Sequence, residues 1–261
     1  MNKLKIALCQ VDTEWENALV TLAKIEPTVR KFCFRHKPDI LVLPETFSTG
    51  FTMNPLCAES PEGPSATWLR RTAKELDTAL VASVPTRVGD NLYNRCYFIT
   101  PEGVEYIYDK RHLFNPSGEG KTYTPGSRRC TVPYKGWNIE LNVCYDLRFP
   151  VWSRNEGCRY DLLINIANWP SSRIDAANAL LPARAIENCC YALFCNRVGK
   201  DATCKYNGCS LITDWFGEKI GRIRRFDGTK FIIARLDKDG LDRFREKFPA
   251  WKDADSFTVN V

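Results

Sequence analysis

Four places in this sequence set a chemically useful side chain directly after an apolar run. Glu45 follows Asp-Ile-Leu-Val-Leu-Pro, Lys110 follows Val-Glu-Tyr-Ile-Tyr-Asp, and Cys144 follows Ile-Glu-Leu-Asn-Val. Asn168 and Trp169 follow Leu-Leu-Ile-Asn-Ile-Ala. Taken singly, each has an ordinary structural reading: a turn residue or helix cap, a surface charge, a core cysteine. Taken together they suggest nucleophilic chemistry. A thiol attacks as its thiolate, and a free pKa of about 8.5 leaves it mostly protonated at neutral pH. It therefore needs a base or a nearby cation. Glu45 can be that base if burial raises its pKa. Lys110 can favour the thiolate and hold the oxyanion of a tetrahedral intermediate. The chain has two histidines: His36 in a basic stretch ended by Pro38, and His112 two residues past Lys110. A Cys–His pair through His112 is the alternative.

In α/β folds, sites form where side chains leave the carboxyl ends of strands and meet a cleft. The surrounding pattern supplies such strands. Apolar runs predict strands over 4–11, 39–43, 79–84, 93–100, 104–108, 137–143, 161–167, 191–198, 210–214 and 231–237. Pro101-Glu102-Gly103 between two of them predicts a hairpin. Helical spacing is expected over 16–35, with Pro27 kinking or interrupting it, and over 67–77, 175–188 and 238–247. Strands that are apolar throughout, mixed with helices, predict sheets covered by helices. No linker or repeat divides the chain, so a single α/β domain over 1–261 is expected.

Composition narrows the partners. At 261 residues and 44% hydrophobic, the chain can bury a large core. Its net charge of +6 includes no Lys/Arg block, which argues against nucleic acid. The apolar start ends at Gln10, too short for a signal peptide, and no later stretch is long enough to span a membrane. The 12 cysteines lack C-x-x-C pairing: the nearest spacings are Cys189-Cys190 and Cys204 to Cys209. With so few histidines, no structural metal is expected. A long chain without an export signal reads as reduced and cytoplasmic, with most cysteines serving as small core residues.

The motifs around these residues resemble those of the nitrilase superfamily. They are Pro44-Glu45, Tyr108-Asp109-Lys110-Arg111-His112-Leu113-Phe114, and Val143-Cys144-Tyr145-Asp146-Leu147-Arg148-Phe149-Pro150. Glu119-Gly120-Lys121-Thr122 leading to Pro125-Gly126, Ala167-Asn168-Trp169-Pro170, and the run from Ala183 to Asn188 extend the likeness over about 4–236. Within that superfamily the chain looks similar to ω-amidases of the bacterial 2-oxoglutaramate amidase type. The resemblance implies a four-layer α-β-β-α sandwich, a homodimer joined through helices, and hydrolysis of a small amide without metal or cofactor. It implies that Glu45 takes the Cys144 proton and that Lys110 and the Tyr145 N–H hold the oxyanion. Glu119 would position the substrate and Lys110. The expected product is the ω-acid of a 2-oxo-dicarboxylate plus ammonia, formed through a Cys144 thioester. Alternatives are an N-carbamoyl, aliphatic or deaminated-glutathione amidase, or a catalytically silent binding protein on the same scaffold. Arg173 and Arg148 are candidates for a substrate carboxylate, which suits arginine's paired donors. Arg173 is favoured for its polar loop just past Trp169. Asn168 and Trp169 are candidate pocket residues, while Arg184 and Glu187 read as a structural pair.

Overall fold

Strand β1 (Lys3–Gln10) is buried without interruption from Ile6 onward, as a strand between covering layers must be. Ile6 and Leu8 point into one core, and Ala7 and Cys9 into another. The computed structural model describes residues 2–259; Met1, Asn260 and Val261, which belong to the expected 1–261 domain, lie outside the described residues. After β1 come α1 (Ala18–His36), β2 (Ile40–Val42), α2 (Pro64–Leu76), β3 (Ala79–Val88), β4 (Asn91–Ile99) and β5 (Glu105–Asp109). The chain continues through α3 (Glu119–Thr122), β6 (Thr131–Tyr134), β7 (Trp137–Val143), β8 (Leu162–Ala167), α4 (Ile174–Glu187) and β9 (Tyr191–Asn196). A small hairpin, β10 (Val198–Lys200) and β11 (Lys205–Asn207), is followed by β12 (Leu211–Thr213) and β13 (Lys219–Ile220). The last elements are β14 (Arg222–Phe226), β15 (Thr229–Asp237) and α5 (Lys238–Lys247).

One sheet has the order β14-β15-β1-β2-β3-β4-β5 and the other β13-β12-β9-β8-β7-β6. Within the two sheets parallel pairing is confined to β1–β2–β3 and β7–β8–β9, and antiparallel strands complete both, β15 returning from the far end of the chain to pair with β1. The central core lies between the sheets, with Leu8, Val42, Val81 and Phe98 facing Leu141, Val143, Ile164 and Leu193. Val29 and Phe32 of α1 and Leu69 of α2 cover the outer face of the first sheet. Ala177, Leu181 and Ala185 of α4 cover the second sheet over Leu163 and Phe194. Helix, sheet, sheet, helix is the four-layer sandwich that the resemblance implied.

Several expected boundaries move. Helix α1 is not interrupted at Pro27. Proline removes the bond to the Ala23 carbonyl, but both residues are solvent-exposed, so water can take the free acceptor. Pro64 begins α2 earlier than expected, at the first helical position, where a missing N–H costs nothing. The run over 191–198 breaks at Arg197, and its last residues pair with β11 rather than within the sheet. Strands β6, β13 and β14 were not foreseen. They lie at or next to sheet edges, where one-sided burial leaves little apolar signal. Among the described residues no helix is long and apolar enough to cross a membrane.

Candidate active site

The polar exits from β2, β5, β7 and β8 meet at one end of the sandwich. Strand β7 ends at Val143, and Cys144 opens a tight turn with a φ of 48°. That left-handed backbone costs a non-glycine residue about 1–2 kcal/mol, so the turn must be held. Asp146 holds it from within: its Oδ2 accepts the Val143 N–H at 2.9 Å. Arg184 braces the far side, donating from Nε (3.1 Å) and Nη2 (2.8 Å) to the Leu147 carbonyl. Its third contact, with Glu187 at 3.0 Å, makes these two the structural pair expected.

Asp146 also fixes the loop that carries Lys110. Its Oδ2 accepts from the Tyr108 hydroxyl at 2.7 Å, and its Oδ1 from the His112 backbone N–H at 2.9 Å. The His112 ring places Nδ1 2.8 Å from the same Oδ1 and stacks on Phe149 at 3.8 Å. His112 thus faces a separate cavity beside Arg111 and Phe149, so no Cys–His pair is built. Gly126 completes the loop: its N–H donates to the Lys110 carbonyl at 2.9 Å, and a Cβ there would lie 2.0 Å from the Asp109 oxygen.

Glu45, Lys110 and Glu119 form a buried, alternating cluster. The Lys110 ammonium lies 2.8 Å from Glu45 Oε1 and 2.9 Å from Glu119 Oε2, and all three side chains are closed to solvent. Asn94 bridges the carboxylates, donating to Glu45 Oε1 at 2.8 Å and to Glu119 Oε1 at 3.2 Å. Glu119 also accepts the Phe114 backbone N–H. The Asn168 backbone N–H donates to Glu45 Oε2 at 2.8 Å, while its side-chain amide donates to Thr46 Oγ1 at 3.0 Å and to the Glu45 carbonyl. Asn168, expected to touch substrate, therefore spends its donors on holding Glu45, and its Oδ1 is buried without a partner.

Burial governs the electrostatics. It alone would push the Lys110 ammonium down, but the carboxylates of Glu119 and Glu45, with Cys144 nearby, outweigh it and hold the pKa well above the usual range. Burial pushes the Glu119 carboxyl up, opposed by Lys110 and reinforced by the Glu45 charge. Burial likewise pushes the Cys144 thiol well above its ordinary value, and Glu45 adds to this while Lys110 opposes it. Cys144 thus rests as a thiol beside a carboxylate.

A cavity of about 440 Å³ opens over this cluster. Glu45 and Cys144 line its floor, together with Tyr145, Asn168 and Trp169. Arg148 and Arg173 line it as well; Arg148 lies 5.0 Å from the Trp169 ring centre and Arg173 5.1 Å from that of Phe114. Among the described residues neither arginine forms an ion pair. Lys110 and Glu119 stand behind Glu45 rather than in the wall, with Lys110 5.1 Å from the Phe51 ring centre. Three contributors were missed from sequence. Asn94 shares the inward register of β4 with Cys96 and Phe98, which was its only signal. Asp146, two residues past Cys144, has the position of a turn-forming aspartate. The wall formed by Asp201, Cys204 and Tyr206 on the β10–β11 hairpin left no local signal.

Residues 5–246 match the family model described as carbon-nitrogen hydrolase. The omega-amidase YafV of Yersinia enterocolitica is 40% identical over 99% of this chain and 100% of its own length. The 2-oxoglutaramate amidase of Bacillus subtilis is 33% identical over 96% of this chain and 97% of its own. A crystal structure of a CN-hydrolase superfamily protein from Xanthomonas campestris superposes with a TM-score of 0.92 at 36% identity, covering 100% of both chains. With the layered fold, the thiol–carboxylate–ammonium cluster and these full-length likenesses in agreement, the chain belongs to the carbon–nitrogen hydrolases of the nitrilase superfamily.

Proposed function

We propose that this enzyme is an ω-amidase, hydrolysing a small ω-monoamide of a 2-oxo-dicarboxylate, such as 2-oxoglutaramate, to the acid and ammonia. One observation carries the reading. A single cavity joins the Cys144–Glu45 floor to two arginines without carboxylate partners among the described residues, one set for an amide and one for a distant carboxylate. The full-length likeness to proteins named for that activity supports it.

The chemistry follows from the cluster. Glu45 takes the Cys144 proton and the thiolate attacks the amide carbon. Lys110 and the Tyr145 N–H hold the oxyanion, and such donors act strongly where water is excluded. Glu45 then protonates the leaving ammonia, and afterwards removes a proton from the water that cleaves the thioester. Glu119 keeps Lys110 charged and in place. Arg173, with Arg148, takes the distal carboxylate, while Trp169 and Asn168 shape the wall.

Residues 1–261 act as one carbon–nitrogen hydrolase domain in this reading. In the same reading the enzyme is a cytoplasmic homodimer that acts on a small amide, with no nucleic-acid or membrane partner; its free cysteines suit a reducing compartment. Steady-state ammonia release tests the substrate: kcat/KM should be highest for ω-amides carrying a distal carboxylate, above N-carbamoyl amino acids, neutral amides and nitriles. Faster turnover of neutral aliphatic amides would overturn the assignment.

A further inference from the structure

Cations gather at the opposite end of the strands from Cys144. Lys5 lies near the start of β1, and Tyr191 is the first residue of β9. Beside them a cavity of about 640 Å³ is lined by Lys5, His36, Trp215, Arg222, Arg224 and Arg235, among others. A second cavity of about 510 Å³ shares Lys5, His36 and Arg235 with it and adds Lys3, Arg35 and Lys37.

The sheet register makes this crowding costly. Lys5 stands directly across from Arg235, while Arg222 pairs with Ile233 and Arg224 with Phe231 on the next strand. Positions paired in this way share a sheet face, so Lys5, Arg235, Arg222 and Arg224 lie on one face, with Lys5 and Arg235 directly opposite each other. Like charges directly opposite one another destabilise a sheet. Among the described residues none of the four forms an ion pair; the Lys5 ammonium donates to the His36 carbonyl instead. Of the nearby carboxylates, Asp39 is taken by Lys135 and by the Lys5 backbone N–H, and Asp214, which lines the larger cavity, accepts the Phe216 and Glu218 backbone N–H groups.

A second observation is independent of charge. The larger cavity has an aromatic side, where Trp215 meets Tyr191 edge-on with ring centres 5.1 Å apart. Burial, then the charges of Lys5, Arg35 and Arg224, holds the His36 imidazole below its usual range. Tyr191, Trp215, Ile220 and Ile233 give the larger cavity an apolar, partly aromatic wall.

We propose that this cavity binds a nucleoside polyphosphate, its phosphates on Lys5, Arg222, Arg224 and Arg235 and its planar base against the Trp215–Tyr191 wall. A phosphate group alone would satisfy the cations and leave the aromatic wall unused. The site is remote from the cleft over Cys144 and shares no lining residue with it.

Isothermal titration of the intact protein with ATP, inorganic pyrophosphate and adenosine, at physiological and constant ionic strength, tests this. Saturable ATP binding is expected, tighter than pyrophosphate, with none for adenosine. The double variant Arg222→Ala/Arg224→Ala should weaken ATP roughly tenfold, allowing for the solvent exposure of both arginines. Trp215→Phe should weaken ATP and leave pyrophosphate unchanged. Amide hydrolysis by both variants should stay at the wild-type rate, which certifies their fold. Absence of saturable ATP binding, equal affinity for ATP and pyrophosphate, or unchanged affinity in the double variant would each overturn the proposal.

Discussion

Asp146→Asn tests whether one buried carboxylate sets the position of the nucleophile against Lys110. The carboxylate accepts four hydrogen bonds, two at each oxygen: Tyr108 Oη and the Val143 N–H at Oδ2, the His112 N–H and Nδ1 at Oδ1. Asparagine keeps one acceptor oxygen and puts an NH2 where the other stood. The Tyr108 hydroxyl already accepts from the Arg111 N–H and Trp152 Nε1 and has no freedom to turn, whereas the His112 imidazole can change tautomer to accept from that NH2. A backbone N–H cannot, so either Val143 or His112 is left with a buried donor facing a donor. An orphaned buried group costs about 1–3 kcal/mol, and the surviving contacts fall from charge-assisted to neutral strength. The sum is about 3–5 kcal/mol, a large part of a typical folding free energy. Urea unfolding should show a lower midpoint with an unchanged slope. The folded variant should lose kcat by more than tenfold, because Cys144 and Lys110 are no longer tied to one group. Stability within about 0.5 kcal/mol of wild type, with normal kcat, would refute the argument.

Cys144→Ala should abolish turnover and leave the fold intact, and mass spectrometry of a trapped acyl-enzyme should find the adduct on Cys144 alone. An adduct on Cys204, which lines the same cavity, would overturn the assignment. Glu45→Gln should lower kcat by orders of magnitude and slow both thioester formation and thioester hydrolysis, since the same carboxylate serves both half-reactions; near-normal turnover would mean that another group is the base. Arg173→Ala should reduce kcat/KM about tenfold to a hundredfold for amides bearing a distal carboxylate and little for neutral amides of similar length, with Arg148→Ala measured alongside. Equal losses on both substrates would make the arginines structural.

The parts of this molecule that sequence revealed are those where polarity breaks a buried pattern. Glu45, Lys110 and Cys144 stand out because apolar strands precede them, and the strands stand out because both their faces are covered. Strand β14, Arg-Ile-Arg-Arg-Phe, carries no such mark: it is an edge strand with mostly exposed side chains, and its charge resembles that of a loop. Asn94 was hidden for the opposite reason. It lies inside a strand where one carboxamide looks like tolerated polarity, and only its contacts with Glu45 and Glu119 separate it from that. The hairpin tip around Asp201 joins the cavity through tertiary packing, and local spacing has no access to such a meeting.

In the mechanism we propose, the double coordination of Lys110 explains why the cluster needs two carboxylates when only one transfers a proton. With Glu45 as its sole partner, the ammonium would lose its counter-charge when Glu45 took the Cys144 proton. A buried ammonium without a partner is costly enough to shed its own proton. Glu119, held by Asn94 and the Phe114 N–H, keeps a negative charge on Lys110 through that step. The proton transfer then moves one negative charge from Glu45 to sulfur, and with attack onward to the substrate oxygen, while the ammonium stays charged and in place to meet it. In that mechanism Glu119 acts on the reaction through Lys110, and Asn94, bonded to both carboxylates, holds the spacing that lets one cation serve two anions in turn.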